Sequence, residues 1–329
     1  MWITSSLTSV RVPTAIALGN FDGVHKGHRY VIDPVLSIGK NERTLGESSD
    51  TCATVVTFDP HPQEFFSGRK RALLTPLNEK IEYLSSIGVQ QLVLLPFTAE
   101  LASLTPEEFV ESILVRHLQA GYVSVGQNFR FGCHRSGTTD DLKAIASPFG
   151  IHIYTAPLRT CQGARVSSSA IRQALADGNL TQANQLLGRP YRLIGRVVHG
   201  QHLGRTLGFP TANLELPSDK LLPCHGVYYV RVAVSPHRNT EYLQSGVMNI
   251  GLRPTVNGIQ QTVEVHLLDW LGDLYGTVLS IDLHKFLRPE QKFASLTDLK
   301  QQIQADCDVA RSLVVCNEEQ SQTAQRFDV

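Results

Sequence analysis

No two of the six cysteines, Cys52, Cys133, Cys161, Cys224, Cys307 and Cys316, form a C-x-x-C pair. Their wide spacing excludes a zinc knuckle or a dithiol redox motif and suits a reducing compartment. An excess of either charge is also missing: Lys plus Arg and Asp plus Glu number 30 each. Neutralising many phosphates of a polynucleotide needs a cationic surplus, so nucleic acid is not an expected partner and any phosphate chemistry must be local. No apolar run approaches membrane-spanning length, and the Ser/Thr-rich stretch from Met1 to Pro13 lacks a basic start followed by an apolar core. With no basic stripe or amphipathic anchor either, a cytoplasmic protein without a membrane partner is expected. Internal repeats are absent. So are a G-x-x-x-x-G-K-[S/T] P-loop and the H-R-D and D-F-G elements of protein kinases, which means that any phosphate grip must be built differently.

What is present is an ordinary globular composition, 42% hydrophobic and 18% charged, over 329 residues. That length favours two domains over one large barrel. In the first half, Thr14–Leu18, Ala53–Phe58, Gln91–Leu95, Tyr122–Val125 and Ile151–Tyr154 are apolar, β-branched runs of buried-strand length. Helical spacing over Leu77–Ile87 and Pro106–His117 alternates with them, the second with Thr105 as N-cap and Pro106 at the first helical position. Alternating strands and helices predict a doubly wound α/β domain with a parallel sheet. The polar stretch Gly39–Asp50 is expected to be a surface loop.

After helical patterns over Ala170–Ala176 and Leu180–Leu187, Gly188-Arg189-Pro190 breaks the periodicity, which sets domains at 1–187 and 188–329. Beyond it, Arg192–Val198, Val227–Val234, Val263–Leu267 and Val278–Leu287 read as strands separated by Gly/Pro turns, with no helices between them. A small antiparallel β-barrel follows. A closing helix from Thr297 to about Val314 carries Leu299, Ile303, Ala310 and Leu313 on one side, and the polar tail from Asn317 is expected to fray.

The densest chemical signal is Gly19-Asn20-Phe21-Asp22-Gly23-Val24-His25-Lys26-Gly27-His28, where the first strand gives way to the first helix. Open α/β sheets bind ligands there. Glycines admit phosphates close to the backbone, a helix N-terminus offers unpaired N–H groups, and two imidazoles donate to phosphoryl oxygens. An isolated H-x-G-H serves equally as a Gly-rich turn with exposed histidines. The ten-residue string, however, resembles the nucleotidyltransferase signature in its flavin-synthetase version. Thr57-Phe58-Asp59-Pro60-His61-Pro62, Val125 to Gly132 and Val166-Ser167-Ser168-Ser169-Ala170-Ile171-Arg172 follow in the order of that family. Ser169 stands where the family usually has Thr, and Cys133 where Lys is common. The resemblance implies attack of the FMN phosphate on the α-phosphorus of ATP with loss of pyrophosphate. His25, His28 and Arg172 would be donors to the reacting phosphates. Gly19, Phe21, Asp22, Gly23, Gly27, Asn128, Ser168 and Ser169 would bind nucleotide or phosphate.

In the second half, Gly195-Arg196-Val197-Val198-His199-Gly200 leads into Gly204 to Leu214 with its Pro210-Thr211-Ala212-Asn213 tetrad. Alone, this is ordinary hairpin chemistry. With Gly226-Val227-Tyr228, Asn249 to Thr255, Glu264 to Asp269, Asp273 to Gly276 and Leu287 to Phe293, the string is similar to riboflavin kinases. The resemblance implies that Thr211 and Asn213 hold Mg²⁺ and ATP phosphates and that Glu264 is the general base. Gly200, Gly204 and Gly208 would shape the phosphate loop. Read from its own strand, Glu264 is equally an outward residue of an alternating pattern. The chain thus resembles the prokaryotic bifunctional riboflavin kinase/FAD synthetase family almost throughout, which implies riboflavin, FMN and ATP as partners and leaves a homo-oligomer open. The competing readings are a chain with only its kinase half active and a non-catalytic flavin- or nucleotide-binding module.

Overall fold

The computed structural model describes residues 1–44, 51–161, 163–200, 203–234, 242–255 and 258–326, which form two compact units, Met1–Ala170 and Ile171–Val329. The first opens with β1 (Trp2–Thr4) and β2 (Thr14–Leu18), followed by α1 (Lys26–Thr44) and β3 (Cys52–Asp59). Next come α2 (Pro62–Ser67), α3 (Leu77–Ser86), β4 (Gln91–Pro96), α4 (Ala99–Ser103), α5 (Pro106–Phe109) and β5 (Ala120–Gly126). The unit continues with α6 (Thr139–Ala146), β6 (His152–Ala156), the two-residue strands β7 (Thr160–Cys161) and β8 (Ala164–Arg165), and the start of α7 (Ser168–Ala176). Six strands pair in parallel in the order β1-β4-β3-β2-β5-β6. All five expected strands are present within two residues of their expected ends.

The central strand shows why the sequence folds this way. All five residues of β2 are buried. Ile16 and Leu18 pack with Phe109, Val110, Ile113 and Leu114 on one face, while Ala15 and Ala17 pack with Val31, Ile32, Val35 and Leu84 on the other. Such two-sided burial requires an unbroken apolar run, because a strand turns successive side chains to opposite faces. From β2 the chain moves outward on one side through β3 and β4, then returns to place β5 on the other side of β2. The carboxyl ends of β2 and β5 therefore flank the topological switch point, where such sheets bind ligands.

Several expectations change. Thr105 and Glu108 form the full capping box at the start of α5, yet the segment continues as a π-helix over Val110–His117. The expected Gly39–Asp50 loop is helical as far as Thr44, because Lys40, Glu42 and Arg43 are good helix formers; 45–50 lie outside the described residues.

The second unit contains the rest of α7, α8 (Leu180–Leu187), β9 (Tyr191–Val198), α9 (Leu203–Leu207), β10 (Ala212–Glu215), β11 (Gly226–Val234) and β12 (Tyr242–Thr255). It ends with β13 (Gly258–Leu267), β14 (Val278–Pro289) and α10 (Leu296–Arg326). The six strands close an antiparallel barrel in the order β10-β13-β12-β11-β14-β9, with β10 paired to β9. The barrel is the expected one, with β10 and β12 added to it and the short α9 interrupting a stretch expected to lack helices. Gly188 ends α8 in the left-handed conformation. The Asn184 side-chain amide then donates to Leu283 O at 2.9 Å, and its oxygen accepts from Tyr191 N at 2.8 Å.

Alternation along the strands turns Val263, Val265 and Leu267 inward. On the outer face Phe209, Val227, Tyr229, Val247 and Leu268 pack against Cys307, Ala310, Ile303 and Leu313 of α10, and Arg288 forms a bidentate ion pair with Asp306 at 2.7 Å. The helix runs on to Arg326 where fraying is expected from Asn317, in keeping with the Glu- and Gln-rich sequence there.

Candidate active sites

The first site grows out of the end of β2. Gly19 N donates to Val56 O at 3.1 Å, and the chain then turns through left-handed conformations at Phe21 (φ 48°), Gly23 (φ 90°) and Val24 (φ 38°) before α1 begins at Lys26. Two of these three are not glycine, so the turn is strained and depends on its surroundings. Phe21, Asp22, Val24 and His25 are all buried. The Asp22 carboxylate accepts from the amides of Leu74 (2.9 Å) and Thr75 (3.3 Å). The Asp22 carbonyl accepts from the Ser168 hydroxyl at 2.8 Å, which commits the only hydrogen of that hydroxyl to the loop. Ser169, the next residue, is exposed.

The two histidines come together, their rings stacked with centroids 3.6 Å apart. His25 Nδ1 accepts from the His28 amide at 3.2 Å, so the neutral imidazole carries its proton on Nε2 and can donate from there. A Cβ on Gly27 would come within 3.1 Å of the His25 ring, which ties the glycine of H-x-G-H to this packing. Asn128 is exposed just beyond the end of β5, the strand beside β2 across the switch point. Arg172 is half-buried in the second unit's part of α7.

Sequence reasoning missed an aromatic cluster in this unit. Phe65 and Phe66 of α2 meet Phe97 with ring centroids 5.3 and 5.8 Å away, and Phe58 lies 5.7 Å from Phe97. Phe66 is 71% exposed. The segment Asp59 to Pro62, which leads directly into α2, belongs to the expected family pattern. His61 in it caps α2 by accepting from Gln63 N at 3.1 Å, and burial together with Arg71 lowers its pKa. The local signal, F-F beside a proline-ended turn, looks like any apolar pair until Phe97 is brought to it from the end of β4.

The second site lies on the outer face of the barrel. Asn213 stands opposite Glu264 in the β10–β13 pair, and Asn249 stands opposite Glu264 in the β12–β13 pair. Directly paired residues share a face, so the three form a row across three strands. The Thr211 hydroxyl donates to the Glu264 carboxylate at 3.4 Å. His266, two residues along, donates from Nδ1 to Pro210 O at 2.8 Å and holds the start of the tetrad.

Gly200 and Gly204 approach these groups closely. A Cβ on Gly200 would fall on the Asn213 amide, and one on Gly204 would meet Phe209 O. Gly208 adopts φ 89°, which few side chains tolerate. The structure thus places Thr211, Asn213 and Glu264 side by side, with Gly200 against Asn213 and Gly204, which falls in α9 and not in a loop, against Thr211; Asn249 was quoted as part of a motif without a role. The hydroxyl, amide and carboxylate oxygens of the group are the hard donors that Mg²⁺ prefers.

Residues 8–170 match the FAD synthetase family model, and residues 187–314 match the riboflavin kinase model. A bifunctional riboflavin kinase/FMN adenylyltransferase of Escherichia coli is 44% identical over 88% of this chain and 90% of its own. The Haemophilus influenzae protein of the same description is 38% identical over 91% and 93%. A solved Streptococcus pneumoniae structure described as a macrolide-efflux protein superposes with a TM-score of 0.79 at 29% identity, covering 94% of this chain and 98% of the other. Among the described residues, no helix is long and apolar enough to cross a membrane. Two consecutive family matches, and relatives aligned over 88% and 91% of its length, make this chain a member of the bifunctional riboflavin kinase/FMN adenylyltransferase family.

Proposed function

We propose that this chain runs the two ATP-dependent reactions of its family at two separate sites, phosphorylating riboflavin to FMN at 188–329 and adenylylating FMN to FAD at 1–187. The observation that carries the kinase reading is the meeting of Thr211, Asn213 and Glu264 beside Gly200 and Gly204. Glu264 accepts the proton of the riboflavin 5′-hydroxyl as its oxygen bonds to the γ-phosphorus of ATP and the bond to the β-phosphate oxygen breaks, releasing ADP. Thr211 and Asn213 would hold Mg²⁺ with the ATP phosphates, and Asn249, level with Glu264, helps to orient the hydroxyl. Bound with ATP, Mg²⁺ supplies charge neutralisation at the phosphates.

In the first half, an oxygen of the FMN phosphate bonds to the α-phosphorus of ATP as the bond to the β-phosphate oxygen breaks, and pyrophosphate leaves. No residue becomes covalently modified. Catalysis rests on alignment and on donors to the phosphoryl oxygens. His25 donates from Nε2, with His28, Arg172 and the exposed Ser169 as further donors, while Ser168 anchors the loop through Asp22. Asn128 contacts the nucleotide. The Phe65–Phe66–Phe97 cluster, with Phe66 largely exposed and Phe97 half-buried, supports a seat for the isoalloxazine ring, whose planar face stacks well on aromatic side chains. The neutral charge balance supports work on free small molecules without nucleic acid, the widely spaced cysteines suit the reducing cytoplasm, and neither reaction calls for a membrane.

The test is incubation of the purified chain with riboflavin, ATP and Mg²⁺, followed by chromatography of the flavins. Wild type is expected to make FMN and then FAD; Glu264→Gln blocks FMN formation but still converts supplied FMN, and His28→Ala stops at FMN. Accumulation of FMN alone would mean that only the kinase half works. Formation of neither product would favour a non-catalytic binding module.

A further inference from the structure

The loop from Asn20 to His25 is held from below by a group that the reaction does not use. Lys80, in the first turn of α3, is only 9% exposed, although lysines almost always keep the ammonium in water. Its Nζ donates to Asn20 O at 3.3 Å, and the Thr57 hydroxyl donates to the same oxygen at 2.9 Å. Thr57 is also buried. Two donors from different elements, β3 and α3, thus converge on one carbonyl, immediately before the strained turn at Phe21, Gly23 and Val24. The residues leading into α3 hold the other end of this segment, since the amides of Leu74 and Thr75 bind the Asp22 carboxylate. Burial pulls the Lys80 ammonium below the usual lysine range, and the carboxylates of Asp22 and Asp59 push it back up. A buried cation facing the underside of a proposed triphosphate seat is an arrangement that folding alone does not require.

We infer that Lys80 and Thr57 are positioning residues for adenylyl transfer, acting together through the Asn20 carbonyl to keep the Asn20–His25 loop in its strained, ATP-receiving form. This rests on the reading of that loop as the ATP seat. Without one anchor the loop populates its competent form only part of the time. A ligand that needs a fractionally populated state binds with its affinity reduced by that fraction, while the bound complex is unchanged.

The kinetic signature separates this role from general support of the fold. Lys80→Met and Thr57→Val should each raise the KM for ATP in conversion of supplied FMN to FAD about tenfold, with kcat within about twofold of wild type. The double variant should be little worse than the poorer single one, because both act through one carbonyl. Conversion of riboflavin to FMN should be unchanged in all three. Loss of kcat with KM unchanged would mean a smaller folded fraction and would overturn the inference, as would strictly multiplicative effects in the double variant. Thr57→Val alters only a hydroxyl and serves as the test should Lys80→Met fail to fold. If wild type makes FAD and His28→Ala does not, but these variants keep the wild-type KM, the positioning role fails while the site assignment stands. If wild type makes no FAD, or His28→Ala makes it normally, the site assignment itself fails and the inference falls with it.

Discussion

Adding one methyl group at Gly200 should disable the kinase site without replacing any proposed ligand. A Cβ there would lie 2.5 Å from Asn213 Cγ and 2.7 Å from Oδ1, and it would fall on Nδ2 as well. Carbon contacts are comfortable at about 3.5–4.0 Å, so the overlap is roughly 1 Å. The backbone of Asn213 cannot yield, because it is paired with Val198 on one side and Glu264 on the other. Relief must come from the Asn213 side chain swinging away or from the Gly200 backbone lifting off it, and either displaces an oxygen from the Thr211–Glu264 group. A displacement of about 1 Å in such a constellation costs on the order of 10²-fold, or about 2.7 kcal/mol of transition-state stabilisation. The assay is kcat/KM for FMN formation by Gly200→Ala, with adenylylation of supplied FMN as the control for an intact chain. Kinase activity within about threefold of wild type would refute the argument that Asn213 must occupy its observed place.

Phe66→Ala should raise the KM for FMN in FAD formation by roughly three- to tenfold, the worth of one aromatic contact, and leave the KM for ATP alone. An unchanged KM for FMN would remove the aromatic cluster from the flavin site. Arg288→Ala leaves the Asp306 carboxylate, 7% exposed, without its bidentate partner. The barrel should lose about 3 kcal/mol, read as a lower denaturant midpoint for loss of kinase activity. Burial pushes the Cys307 thiol up from 9.0 to about 11, against the pull of Arg311. Between those values the folded protein keeps a proton that the unfolded chain has lost, so stability falls as pH rises from about 9 to 11. Cys307→Ala should flatten that decline in Tm, and an equal slope in both proteins would count against the shift.

The sheet was legible because two-sided burial demands continuous apolar runs, and Thr14–Leu18 and Gln91–Leu95 carry them openly. The barrel was harder to read. Strand β12 contains Gly246, Gly251 and Pro254, residues that punctuate loops, and it is held as a strand by pairing along its length with β11 and β13. Strand β10 is four residues long and begins inside the P-T-A-N motif, whose Pro and Asn suit a turn equally well. The continuation of α1 into Lys40–Thr44 was hidden by a polar composition that suits a solvated helix as well as a loop. At the sites, the motifs marked what stands nearest the proposed chemistry, His25, His28, Thr211, Asn213 and Glu264. They gave no sign of Lys80 or Phe97 and included Thr57 and Asn249 without a role, because what these four do depends on contacts with residues distant in the chain.

Strand β10 joins β9 to β13 and so is the stave that seals the barrel. It is also the strand that carries Asn213 up to Glu264. A chain with the seam open has every proposed kinase side chain but not their neighbourhood, so it has no means of activating the riboflavin hydroxyl against ATP. On the proposed assignment, closure of the barrel is what would make the kinase competent, and a partly melted copy would lack the arrangement needed to consume ATP.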